Sequence, residues 1–260
     1  MLIERIVVTM ELIPNDAIQF RLAVEAVSMF LQTATLRFSQ EGLAINGMDI
    51  SHVGFIDYFL SKEDCASLIV REPFVLSIHT SVLSKALSAI GQGDRVTLST
   101  SKNRDQLILS YANSKLNKKA TYNLNTMDVE EEQMELPEVT YDAMVVAKTS
   151  DIVSVVKEVS QFGEAMGLLL DENGFHVSAK GDAGTVTQIL ENTDDRTMEL
   201  TEDTVEALFG AKYLMNILKG GGPLTDVTKI EFDASQPLRA SFPFGKKSRF
   251  VAYLAPKILE

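Results

Sequence analysis

The order of turns and helical stripes repeats once, half a chain apart, and this repetition limits the possible folds more than any other feature. Gly42 and Gly174, each in a polar turn between strand-like runs, stand 132 residues apart, and Leu83 and Leu214, each on the apolar stripe of a helix, stand 131 apart. A period of half of a 260-residue chain marks one duplicated domain, since solenoid repeats run about 20 to 50 residues.

Each half reads as strand, helix, strands, helix, strands. In the first, Pro14, Asn15 and Asp16 signal a helix start, and Phe20, Val24, Val27 and Leu31 form one apolar stripe. A second helix over residues 81–90 buries Leu83, Ala86, Leu87 and Ile90, and Gly91 and Gly93 stop it. In the second half, Thr149, Ser150 and Asp151 start a helix with Ile152, Val155, Val156 and Val159 inside. A fourth helix turns Ala211, Leu214, Met215 and Leu218 inward, and Gly220, Gly221 and Gly222 read as its C-terminal stop ahead of Pro223. Runs such as LRFSQEGLAING and GLLLDENGFHVSAKG read as strands joined by tight turns. Helices with one buried stripe must lie on one face of a sheet with the opposite stripe free. The fold class is therefore α+β: two duplicated domains with helices on one face of antiparallel sheets.

The halves meet at LNTMDVEEEQMELPEVTY, which has six acidic residues, no Lys or Arg and no helical period. That composition predicts an extended, solvated connector, so the domains are expected at residues 1–123 and 141–260, with 124–140 between them. Lys and Arg against Asp and Glu count 12 to 12 in the first domain, 0 to 6 in the connector and 12 to 18 in the second. Half of the net charge of −12 thus lies in the connector, and a basic surface elsewhere remains open. No apolar run approaches the roughly 18 residues that span a bilayer, and Glu4 and Arg5 interrupt the opening MLIERIVVTM. Both point to an intracellular protein with no membrane partner. The lone Cys65 excludes an intramolecular disulfide.

The outward stripes of the four helices carry Arg21, Lys85, Lys157, and Lys212 with Lys219, spaced by serines, Gln161 and Asn216, while Glu25 and Glu158 are the clear acids there. On a single helix this is an ordinary solvated face. Four such faces in equivalent positions suit sequence-independent contact with phosphates. Catalytic machinery, metal site and cofactor are all expected to be absent. His52, His79 and His176 are far apart and lack ligand spacing, and FGKKS lacks the glycines of a phosphate loop. Asp49, Ser51 and His52 read as a strand end, where neighbouring side chains alternate faces and form no relay.

GMDISHV at 47–53, LPEVTY at 136–141 and YLAPKI at 253–258 resemble three landmark segments of the proliferating cell nuclear antigen family of sliding clamps. Element order, repeat and length agree over the whole chain. The resemblance implies a homotrimeric ring lined by helices around duplex DNA. It also implies a function without chemistry, holding DNA polymerase and other replication and repair proteins on DNA after a clamp loader has acted, with the nucleus as the expected location and the cytoplasm as the alternative for an archaeal chain or one from a cytoplasmic virus. It places Arg21, Lys85, Lys157, Lys212 and Lys219 towards DNA, with Ser28, Ser88 and Ser154 where basic residues are common. The implied partner-peptide groove takes Met48, Ser51, His52 and Val53, then Leu136, Pro137 and Tyr141, then Pro237, Tyr253, Leu254, Ala255, Pro256 and Lys257. Head-to-tail pairing of residues 118–124 with 185–190 of the next subunit is implied as the interface. One subunit of a heterotrimeric clamp, and a peptide-binding scaffold with no DNA role, are the competing readings.

Overall fold

A computed structural model describes residues 10–128, 139–182 and 184–257. The first half runs β1 (Met10–Pro14), α1 (Ala17–Ser28), β2 (Thr33–Ser39), β3 (Gly42–Met48), β4 (Gly54–Ser61), β5 (Cys65–Val70), β6 (Phe74–His79), α2 (Thr80–Leu87), β7 (Arg95–Thr100), β8 (Gln106–Asn113) and β9 (Lys118–Asn125). The second half repeats it as β10 (Ala143–Lys148), α3 (Thr149–Val159), β11 (Ala165–Asp171), β12 (Gly174–Gly181), β13 (Gly184–Glu191), β14 (Thr197–Leu200), β15 (Val205–Gly210), α4 (Ala211–Gly221), β16 (Val227–Phe232), β17 (Leu238–Phe244) and β18 (Ser248–Leu254).

The repeat extends to topology. The first half orders its strands β5-β1-β7-β8-β9 and β6-β2-β3-β4, and the second β14-β10-β16-β17-β18 and β15-β11-β12-β13, so each strand has its counterpart at the same place. The two equivalent glycines have one physical reason. Gly42 and Gly174 adopt φ of 153° and 141°, and a Cβ would collide with the carbonyl of Leu60 or of Leu190 on the following strand. Short segments exchange between the compact units, with 48–57 clustering with the second and 245–248 with the first.

Within the first unit α1 lies beside α2, and within the second α3 lies beside α4. Asp16 caps α1, its carboxylate accepting the N–H groups of Ile18 and Gln19 at 2.9 Å. The apolar stripes are buried as their period predicts: Phe20, Val24 and Val27 on α1, Leu83 and Leu87 on α2, Ile152, Val156 and Val159 on α3, Leu214 and Leu218 on α4.

The glycine run differs from its sequence reading. Gly220 and Gly221 lie inside α4, and Gly222, at φ −55°, continues into a 3-10 turn over Gly222–Leu224 that contains Pro223. The reason is packing. A Cβ on Gly221 would collide with ring carbons of the fully buried Phe242 on β17, at 2.4–2.5 Å, so the glycine lets helix and sheet approach closely.

Candidate DNA-facing helices and partner groove

On the outward helix faces, four of the five basic residues are free. Lys85, Lys157, Lys212 and Lys219 are exposed, and among the described residues none of them has an ion-pair partner. Arg21 is different: half-buried, it donates from Nη1 to Glu25 one turn on at 3.0 Å. The acids of α3 are likewise engaged, Asp151 by Arg196 at 2.9 Å and Glu158 by the Gln188 amide at 2.9 Å. Several serines between the basic residues do not offer their hydroxyl donors outward. Ser28, Ser88 and Ser160 donate to the carbonyls of Glu25, Lys85 and Lys157, three residues back in each case. The lysines thus supply most of the free positive charge of these faces.

The GMDISHV segment forms a turn, and the strand-end reading of Asp49, Ser51 and His52 is corrected. After β3, the buried Asp49 carboxylate accepts the N–H groups of Ser51 (3.1 Å), Val53 (2.8 Å) and Gly54 (2.7 Å). The Tyr213 hydroxyl of α4 approaches it at 3.4 Å. Burial pushes this carboxyl up, but the hydrogen bonds outweigh it and hold it below the usual carboxylate range. The turn keeps His52 at φ 55°, a left-handed conformation that few residues adopt, with its ring exposed beside exposed Ser51.

Two backbone hydrogen bonds fasten the C-terminal segment to this turn and to β15: Ala255 N–H to the Val53 carbonyl at 2.9 Å, and Lys257 N–H to that of Leu208 at 2.6 Å. A cleft of about 790 Å³ opens beside them, lined by Val53, Ala255, Pro256 and Lys257 together with Lys212 and Lys219 of α4. Residues that the sequence assigns to two different faces therefore share one cavity.

Next to Tyr141 lies a cluster that sequence reasoning missed. Glu231 of β16 and Arg239 of β17 are direct cross-strand partners, and the guanidinium bonds both carboxylate oxygens at 2.5 and 2.6 Å. Lys229 adds a third contact to Glu231 at 2.8 Å. Held this way, the guanidinium lies 4.9 Å from the centre of the Tyr141 ring. Burial pushes the Tyr141 hydroxyl up to about 12, and that hydroxyl is buried without a hydrogen-bond partner among the described residues. Tyr253 of β18, half-buried, packs edge-on against Phe55 with centroids 6.1 Å apart. Met48 and Pro256 are half-buried and Pro237 exposed. Leu254 is fully buried and belongs to the core, because alternation along β18 turns it away from the Tyr253 side. Leu136 and Pro137 lie outside the described residues.

A duplicated unit with paired helices over antiparallel sheets, lysines free on the helices and a turn-built groove near the C-terminus, defines the class of DNA sliding clamps. Two family models cover the chain: the proliferating cell nuclear antigen N-terminal domain matches residues 10–134, and the C-terminal domain matches 135–258. The chain is 26% identical to proliferating cell nuclear antigen of Saccharomyces cerevisiae over 250 residues, 94% of this chain and 96% of that protein. It is also 26% identical to DNA polymerase sliding clamp 1 of Thermococcus kodakarensis over 251 residues, 96% of this chain and 99% of that one. A crystal structure of proliferating cellular nuclear antigen from Entamoeba histolytica superposes with a TM-score of 0.89 at 24% identity, covering 96% of this chain and 100% of the other. The chain belongs to the proliferating cell nuclear antigen family and is a DNA sliding clamp of that family. The family is one of non-catalytic scaffolds whose partners are DNA and replication proteins.

Proposed function

We propose that three copies of this chain close into a ring around duplex DNA and hold DNA polymerase and repair proteins there, after a clamp loader has opened it. The ring performs no chemistry of its own. The proposed domains are residues 1–123 and 141–260, joined by the 124–140 connector, and the proposed location is the nucleus. One observation carries the reading: the outward faces of paired helices hold Lys85, Lys157, Lys212 and Lys219, none with an ion-pair partner among the described residues, in a chain whose net charge is −12. Four ammonium groups without ion-pair partners, on helices rather than on mobile loops, suit transient phosphate contact of the kind sliding needs. Weak affinity is compatible with the function, because topology retains a closed ring.

Closure is supported by two open sheet edges. β9 and β13 each end a strand order, with Ile189 of β13 48% exposed and Leu116 before β9 70% exposed. Head-to-tail pairing of 118–124 with 185–190 of the next copy would cover both. The groove around the Asp49 turn, Tyr141, Tyr253 and Pro256 would take partner peptides with aromatic anchors.

The test is polymerase extension on primed circular DNA with a clamp loader. The chain should lengthen products, and joint substitution of Lys85, Lys157 and Lys212 by Glu should abolish the gain. Stimulation that survives the triple substitution would remove the helix faces from the DNA site. Sedimentation separates the homotrimer from a heterotrimer subunit, since a chain that stays monomeric at micromolar concentration refutes closure with itself.

A further inference from the structure

Of the four lysines on the outward helix faces, three have a structural reason for their positions and one does not. A helix carries a partial negative charge at its C-terminal end, which stabilises a cation in the last turn. Lys85, Lys157 and Lys219 stand there, in the last turns of α2, α3 and α4. Lys212 lies in the first turn of α4, where the partial charge is positive and repels an ammonium group. Nothing in that turn offsets the repulsion: it holds no acid, and Gly210 before it supplies no side-chain cap. By contrast, α1 begins with the Asp16 carboxylate on its N–H groups and α3 with Asp151 in its first turn. The fold does not require a cation here. The 131-residue offset that brings Leu83 onto Leu214 brings Ser81, an exposed neutral residue, onto position 212. A residue that conflicts with its own helix, where the fold accepts a neutral one, is expected at a functional position.

We infer that Lys212 is the principal phosphate contact of the helix faces, with Lys219 as a second point on the same helix, and that a duplex relieves the repulsion which folding leaves in place. The inference rests on the DNA reading above and names the residue that dominates it. Lys219 follows Lys212 by two turns, about 10 Å along the axis and about 20° around it, so both leave α4 on one stripe. Phosphates follow one another about every 3.4 Å of axis on each strand, so this pair reaches two of them. No acid occurs anywhere in Ala211–Gly221. The other faces offer less: Arg21 is engaged by Glu25, Glu158 follows Lys157, and Met29 and Val82 are 50% and 44% exposed beside α1 and on α2. In a ring of three copies, one helix per copy then carries most of the contact.

The test compares Lys212→Gln with Lys85→Gln and Lys157→Gln in the full chain, since glutamine keeps the length and helix propensity of lysine and removes its charge. Without DNA and at low salt, Lys212→Gln should melt about 1–3 °C above the wild type, whereas the other two should melt at or below it. A fluorescein-labelled linear duplex, followed by anisotropy from about 25 to 150 mM salt, reads the contact itself. Lys212→Gln should weaken binding at least about fivefold more than either comparison variant and lower the slope of log affinity against log salt by about one. A merely structural lysine would not lose DNA while gaining stability. A melting point for Lys212→Gln at or below that of the wild type, or a loss of DNA binding no greater than that of Lys85→Gln, overturns the inference. Retention of the wild-type ring on circular DNA separates the two levels of the account. A ring that is retained while Lys212→Gln is silent refutes only the assignment of this residue, whereas a wild-type chain that neither binds the duplex nor stays on the circle refutes the DNA reading and the assignment with it.

Discussion

Asp49 organises the turn that forms part of the proposed partner groove, and its removal gives the sharpest test of that construction. Its carboxylate accepts three backbone N–H groups, two of them, Val53 and Gly54, at the same oxygen at 2.8 and 2.7 Å. Hydrogen bonds to a charged group contribute about 1.5–3 kcal/mol each where the donor is left without a partner. Of these three donors, Ser51 is at the surface and regains water on truncation, while Gly54 is buried and does not. Asp49→Ala should therefore cost about 3 kcal/mol, most of it from Gly54 and Val53. Asp49→Asn keeps one acceptor oxygen for those two and should cost about 1 kcal/mol. Urea unfolding followed by far-UV circular dichroism measures both, read as a change in midpoint at constant slope. Peptide binding should weaken in the Ala variant even where the chain remains folded, because Val53 no longer meets Ala255 in the same place. An Ala variant within about 0.5 kcal/mol of wild type would refute the claim that this carboxylate holds the turn.

Gly221→Ala should destabilise by about 1–3 kcal/mol, because the added methyl must displace the buried Phe242 ring; a thermal melt equal to wild type would contradict the close helix–sheet approach. Asp64 accepts the N–H groups of Lys246, Lys247 and Ser248 and the Ser248 hydroxyl. Burial raises the Asp64 and Glu231 carboxyls, but the bonds from Ser248 and the lysine amides in one case, and from Arg239 and Lys229 in the other, outweigh it and leave both depressed. A carboxyl depressed on folding adds stability above its unfolded value of about pH 4 and loses it as pH falls through the folded value, so Asp64→Asn and Glu231→Gln should flatten the acid limb of stability against pH. Burial pushes the Cys65 thiol up to about 11, so iodoacetamide should modify the native chain at pH 7.5 far more slowly than the urea-unfolded chain.

The helices were legible because a buried stripe leaves a period that needs no knowledge of partners, and Phe20 to Val27 or Ile152 to Val159 state it directly. The equivalence of Gly42 and Gly174 was legible as spacing, and the structure supplies its cause in a carbonyl that leaves no room for a Cβ. Features that depend on distant atoms were not legible. Nothing near Gly221 announces Phe242, twenty-one residues on, so the glycine run reads as a stop. The Asp49 turn alternates like a strand until its carboxylate is seen to gather three amides. Glu231 and Arg239 become a pair only once the β16–β17 register sets them opposite each other. The Arg21–Glu25 pair is the contrary case: its four-residue spacing on a helix was available, and it removes one free cation from the proposed DNA-facing set.

The central claim is that the chain works by encircling DNA, and topological retention tests it most directly. The labelled chain, loaded with its clamp loader onto nicked circular DNA, should remain bound through a high-salt wash and be released when a single restriction cut linearises the circle. Equal retention on circular and linear DNA, or release from the intact circle by salt alone, would contradict the account.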